Sequence, residues 1–184
     1  MFIQTEETPN PATLKFLPGR EVLAAGTADF PNPQTGGGSP LASRLFAIPE
    51  VAAVFFGSDF VTVTKVADAD WQIMKPAVLG AIMEHFTSGD PVMREAAGPT
   101  HAAAGDADDG VVSQIIELLD TRVRPAVAMD GGDIVFHGFE DGIVYLHMQG
   151  SCAGCPSSSA TLKMGIENML RHYIPEVREV QPVV

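Results

Sequence analysis

The sequence predicts an α+β fold: two small α/β-layered domains, each a sheet covered by helices, joined by a flexible linker. Three observations carry that prediction. Short segments with alternating apolar and polar residues lie on both sides of the middle of the chain and read as strands. Longer segments with apolar residues every three or four positions flank them and read as helices. Between the two groups, residues 89–110 are rich in Ala, Gly and Pro, end in Asp106-Ala107-Asp108-Asp109-Gly110, and keep no apolar period. The domains are therefore expected at residues 1–88 and 111–184, with the linker at 89–110. As flexible coil, about 20 residues span roughly 25 Å, enough for independent movement.

In the first domain, Thr8-Pro9-Asn10-Pro11 favours an extended approach, because a residue before proline is pushed out of the helical region. Ala12 to Leu17 alternates, Leu14 and Phe16 on one face and Thr13 and Lys15 on the other, as a strand does. A short strand is expected around Glu21 to Leu23, and loop from Phe30 to Pro40. The glycines Gly36-Gly37-Gly38 lack the Lys-Ser/Thr of a phosphate-binding loop and read as a surface turn. Ser39 and Pro40 can start a short helix. Val51–Phe56 and Phe60–Val66 read as strands joined at Gly57-Ser58-Asp59. Trp71 to Phe86 reads as an amphipathic helix with Ile73, Met74, Ala77, Val78, Ala81, Ile82 and Phe86 inward. Trp71 is expected to pack on the sheet, and His85 and His101 to face solvent.

The second domain opens with a helix from Val111 to Val123, with Val112, Ile115, Ile116, Leu119 and Val123 inward and Pro125 ending it. Asp130-Gly131-Gly132-Asp133 then turns into a hairpin, Ile134–Gly138 and Ile143–Met148, around Glu140-Asp141-Gly142. Carboxylates on a glycine turn more often bond local amides than do chemistry, so Asp130 and Asp133 receive no role. Leu162, Ile166, Met169, Leu170 and Tyr173 mark a long helix closed by Pro175, and Val177 to Val184 a last strand. The order is helix, strand, strand, helix, strand. Met129, Met148, Met164 and Met169 are expected as core fillers.

Where the hairpin ends and the long helix begins lies Gly150-Ser151-Cys152-Ala153-Gly154-Cys155-Pro156, which holds the only two cysteines of 184 residues. Pro156 suits a first helical position, and Ser157 to Ser159 can satisfy free N–H groups there. A helix N-terminus favours the thiolate, so two thiols on a tight turn make half of a soft-metal site. Tetrahedral thiolate zinc and iron–sulfur clusters usually need four ligands. Spacing alone leaves four readings: a dithiol redox centre, a mononuclear metal recruiting His137, His147 or His172, a cluster shared across a two-fold axis, or two inert cysteines.

Composition narrows the classes. Net charge is −12, from 11 Lys and Arg against 23 Asp and Glu, so phosphate backbones are repelled and no nucleic-acid partner is expected. No run approaches the ~18 apolar residues of a membrane span. The N-terminus has neither signal-peptide nor transit-peptide character, which implies a bacterial cytoplasmic protein, or a trimmed one of the mitochondrial matrix.

The residues Arg124-Pro125-Ala126-Val127-Ala128-Met129-Asp130-Gly131-Gly132-Asp133-Ile134, Gly150 to Ser158, and Thr161-Leu162-Lys163-Met164-Gly165-Ile166-Glu167 closely resemble the C-terminal domain of the NifU/Nfu family. Glu7-Thr8-Pro9-Asn10-Pro11-Ala12-Thr13-Leu14-Lys15-Phe16-Leu17-Pro18-Gly19 looks like the opening of the N-terminal domain of mitochondrial-type Nfu proteins. The resemblance implies a non-enzymatic iron–sulfur cluster scaffold and carrier. Cys152 and Cys155 from each of two subunits would hold a labile 4Fe–4S cluster and deliver it to apo-proteins. Expected partners are a second copy when loaded, apo client proteins and upstream cluster donors, with the N-terminal domain as docking module. The alternative is a thiol–disulfide oxidoreductase using the same C-x-x-C.

Overall fold

The computed structural model describes residues 1–94, 109–153 and 156–183. The chain divides within the 95–108 stretch into two compact units, each with its own sheet and core.

The first unit is built on a five-stranded antiparallel sheet: β1 (Gln4–Glu7), β2 (Thr13–Leu17), β3 (Ala28–Phe30), β4 (Val51–Phe56) and β5 (Val61–Lys65), in the order β1-β2-β5-β4-β3. Alternation puts Phe16, Val54, Phe56, Val61 and Val63 in a core shared with helix α1 (Pro40–Phe46) and helix α2 (Trp71–Ser88). Ser39 caps α1 by accepting from the Ala42 amide at 3.0 Å, and Asp70 caps α2 by accepting from Gln72 at 2.8 Å. Trp71 packs against Phe16, centroids 6.4 Å apart, and donates to the Pro11 carbonyl.

Several expectations are corrected here. No strand forms at Glu21–Leu23; Val22 and Leu23 are instead buried, their amides on the Ser58 carbonyl. The expected loop from Phe30 contains the end of β3 and a 3₁₀ helix, Pro33–Gly38. The stripe of α2 is rotated: Met74, Val78, Ile82 and His85 are buried, Ala77 is exposed and Ile73 is 75% exposed. His85 is fully buried, and neither ring nitrogen has a hydrogen-bond partner among the described residues.

Gly89, with φ +78°, ends α2 in the left-handed cap that glycine favours. The chain then returns along α1: Ser39 donates to the Val92 carbonyl, the Arg94 amide to Gly38, and Arg44 pairs with Asp90 at 3.2 Å. Residues 89–94 of the expected linker thus pack on the first unit, and 95–108 lie outside the described residues.

The second unit has the expected order of helix, strand, strand, helix, strand. Its first helix does not stop before Pro125. α3 (Asp109–Leu118) passes through a wide π turn, Leu119–Val123, into α4 (Arg124–Met129). Proline lacks an N–H and its ring crowds the carbonyl four residues back; a wide turn, in which the Arg124 amide reaches Leu119, relieves both. β6 (Gly132–Glu140) and β7 (Ile143–Gly150) form the hairpin, with Asp141 at φ 51° and Gly142 at φ 79°, as a type I′ turn requires. α5 (Pro156–Tyr173) leads to β8 (Glu179–Val183), which pairs parallel to β7. One core joins Ile115, Leu119 and Val127 to Ile134, Leu146, Ile166, Leu170 and Val180. Of the four methionines expected as filler, Met148 is buried and Met169 packs on the core, but Met129 and Met164 are 76% and 64% exposed. Among the described residues no helix is long and apolar enough to cross a membrane.

Candidate cluster-binding turn

Three glycines close the end of the β6–β7 hairpin around Cys152. Gly131 takes φ +82° and Gly150 φ +63°, both left-handed, and Gly132 faces Gly150 across the two strands. The Ser151 amide donates to the Gly131 carbonyl, its hydroxyl to the Asp130 carbonyl at 2.6 Å, and the Ala153 amide to Gly150. The chain is thereby folded back onto the start of β6. A side chain at position 132 would have no room: a Cβ there would lie 2.5 Å from the Cys152 Sγ and 3.0 Å from the Gln149 carbonyl. Cys152 itself is 7% exposed and joins the apolar core. Cys155 lies outside the described residues.

Asp133, to which the sequence alone assigns no role, fixes this corner. Arg124 on α4 meets it through two parallel bonds, Nε to Oδ1 and Nη2 to Oδ2, each 2.8 Å. Asp133 also accepts from the Ile134 amide at 2.8 Å, and Arg124 reaches Asp120 at 2.9 Å. Burial alone would lower the pKa of Arg124. Its bonds to Asp133 and Asp120 and their charges outweigh that and hold it above its ordinary value. The bidentate pair ties the helix to the strand that carries Gly132. Its signal in the sequence is an arginine nine residues before an aspartate on a Gly-Gly turn, a pattern that only the wound helix brings together.

The histidines lie elsewhere. His172 stands sixteen residues into α5, about 24 Å from its start by helical rise, and is exposed. His147 faces Val135 in the hairpin register, three residues from Gly132 and hence roughly 10 Å along the strand. Burial first, then the neighbouring charge of His137, lowers its pKa. His137 is exposed beside an irregularity in β6. No three His, Cys, Asp or Glu side chains converge as a metal site among the described residues. The site the structure describes is a glycine-built turn just before α5 that holds the Cys152 side chain against the core.

Comparison with known proteins gives this turn its context. A family model described as the scaffold protein Nfu/NifU N-terminal domain matches residues 3–89, and one described as the NifU-like domain matches residues 115–181. A human protein named NFU1 iron-sulfur cluster scaffold homolog, mitochondrial, is 55% identical over all of this chain and 72% of its own length. The protein of the same name from Drosophila ananassae is 55% identical over all of the chain and 64% of its own length. NifU-like protein 4, mitochondrial, of Arabidopsis thaliana is 54% identical over 98% of the chain and 65% of its own length. The chain thus spans about two thirds of the length of these relatives.

Proposed function

The chain belongs to the Nfu/NifU family of iron–sulfur cluster scaffold proteins, and from that premise we propose that it is a carrier which binds an iron–sulfur cluster and hands it to apo-proteins. The cluster is cargo. Cys152 and Cys155 of each of two subunits hold it, because one chain offers two thiolates where a cluster takes four. The 4Fe–4S type follows from the family resemblance. The observation that carries the reading is the turn itself: the first of the two cysteines sits on a corner built by Gly131, Gly132 and Gly150, directly before the N-terminus of α5. Helix N-terminal amides offset the negative charge of a four-thiolate cluster.

A cluster gripped by two residues per subunit is released when either subunit lets go, which suits a carrier and not an electron-transfer protein. The first unit contributes no cysteine and serves to dock clients or donors. No catalysis is assigned to either unit. The relatives' names, each ending in "mitochondrial", favour the mitochondrion over the bacterial cytoplasm as its compartment. The oxidoreductase alternative finds no support: the second unit opens with a helix and a hairpin, without the βαβ unit of a thioredoxin-like fold.

The test is transfer. Anaerobically loaded protein should activate a cluster-dependent apo-enzyme in the presence of a chelator, faster than equimolar iron and sulfide. Cys152→Ser and Cys155→Ser should each abolish both loading and transfer, since a serine oxygen stays largely protonated and is a poor soft-metal ligand. In a symmetric dimer either change removes two of four ligands at once. His147→Ala and His172→Ala should leave both intact. Activation no faster than with free iron and sulfide would end the carrier reading.

A further inference from the structure

We propose that the groove between β1 and α2 of the first unit binds an extended segment of a partner protein. The segment adds to β1 as a sixth strand, sets an acidic residue against Lys75 and, two positions along, an aliphatic residue against Leu79. This rests on the reading of the first unit as the module that docks clients or donors.

The edge of the sheet comes first. β1 pairs with β2 on one side and ends the sheet on the other, so alternate backbone groups face outward without a strand. The other sheet edges among the described residues are short or blocked. β3 has three residues, and β6 is interrupted at His137. On β8 the Val180 amide is taken by Glu167 at 3.2 Å, and Pro182 has no N–H. A cavity of about 520 Å³ lies between residues 2–6 and Lys75 and Leu79 of α2. It meets five consecutive residues, as a groove along an edge does; a pocket on one face of a strand would meet alternate ones. An open edge beside such a groove is what an added strand requires.

The side chains then select the occupant. In register, Thr5 faces Phe16 and Glu6 faces Lys15, so Ile3 and Thr5 share the helix-covered face while Gln4 and Glu6 point the other way. Lys15 holds Glu6 there at 3.6 Å. Lys75 is exposed, and no carboxylate pairs with it among the described residues. Leu79 and Ile3 are half-buried against the core. The groove thus offers a free cation and an aliphatic surface. Lys75 and Leu79 are four residues apart, about 6 Å along the helix axis. Same-face residues of a strand repeat every ~6.8 Å, so side chains two positions apart on an added strand meet the two in turn. A second copy is the poorer occupant: pairing β1 with β1 brings Glu6 and Glu7 of both chains, four carboxylates, to one short seam.

The probes are acetylated, amidated hexapeptides of alternating Val and Thr that carry Glu and Leu two positions apart. Both orders are made, since an added strand can run either way. They are titrated into isotope-labelled, metal-free full chain and followed by NMR. One order should shift the amides of residues 3–6, 75 and 79 and slow hydrogen exchange along β1. N-methylation of the peptide amides that face β1 should abolish both effects. Lys75→Glu, an exposed change whose fold circular dichroism checks, should weaken binding about fivefold and favour the peptide with Lys in place of Glu. The proposal is overturned by no shift at β1 from either order, by binding that survives N-methylation, or by no loss on charge reversal. Concentration-dependent shifts of the same amides without peptide also overturn it, since they would put a second copy in the groove. The bound peptide should further slow cluster delivery to the apo-enzyme. Binding at β1 with delivery unchanged would leave the groove intact and defeat the docking reading.

Discussion

His85 and Asp29 titrate in opposite senses within the first unit, and the difference makes each testable. Burial first, then the positive charge of Arg44, lowers the pKa of His85 below 6.5, against a smaller opposing effect of Asp90. The unfolded chain then binds more protons than the folded one just below pH 6.5, so His85 costs stability as pH falls through that value. Burial pushes Asp29 from 3.8 up to about 6. Its folded carboxylate is disfavoured, so its contribution is best below 3.8 and is lost as pH rises through 6. Trp71 is the only tryptophan and belongs to this unit, so its fluorescence reports the unit's urea unfolding. His85→Phe should flatten the loss between pH 7.5 and 6. Asp29→Asn should stabilise at pH 7.5 by about 1–2 kcal/mol and do nothing near pH 3.5. In the second unit the decisive residue is Asp133. Its side chain is 4% exposed, and Asp133→Ala would remove two of the bonds of the Arg124 guanidinium and leave it Asp120 alone. The expected loss is about 3 kcal/mol, read from the NMR signals of Tyr145 and Tyr173 in urea. A loss under half of that would mean the pair contributes little to the corner.

At the scale of elements, the hairpin turn and α5 give a contrast between two glycines. Gly142 sits at φ +79°, and a Cβ there would meet the Glu176 carbonyl at 3.0 Å and the Arg178 side chain at 2.6 Å. Its own carbonyl accepts from the Arg178 and Glu179 amides, which starts β8. Gly165 lies mid-helix, and a methyl group added there would have nothing within 4 Å. Gly142→Ala should therefore destabilise the second unit by more than about 1 kcal/mol, and Gly165→Ala stabilise it by about 0.5–1 kcal/mol. Thermal unfolding followed by circular dichroism separates the signs. The same elements show what can be read from the chain alone. The hairpin, its Asp-Gly turn and the stripe of α3 are local patterns, and they are legible. β1 and β3 are not: Gln4-Thr5-Glu6-Glu7 carries no apolar alternation, and β3 has three residues, so only their neighbours in the sheet define them. The face of α2 misleads because Ile73 and Met83 leave apolar residues on its exposed side while His85 turns inward. The passage through Pro125 escapes a local reading because local preference argues for a stop and tertiary packing overrides it. The cysteine pair is plain from spacing. The position of Cys152 under Gly132 is not, since it depends on the register of two strands.

At the scale of the molecule, the two units differ in what they bring. The first has a charged surface, one tryptophan and no cysteine; the second has both cysteines and a core small enough for ligand binding to matter to its stability. Loading should therefore raise the unfolding midpoint of the second unit and leave the Trp71 transition of the first unmoved. Ligand count makes the further demand that the loaded form contain two chains. The most direct measurement is anaerobic light scattering on the reconstituted protein, combined with iron and sulfide analysis of the same peak. The account predicts a species of twice the chain mass with about four irons and four sulfides, which reverts toward monomer when the cluster is chelated. A loaded species of single-chain mass carrying the same iron and sulfide would contradict it.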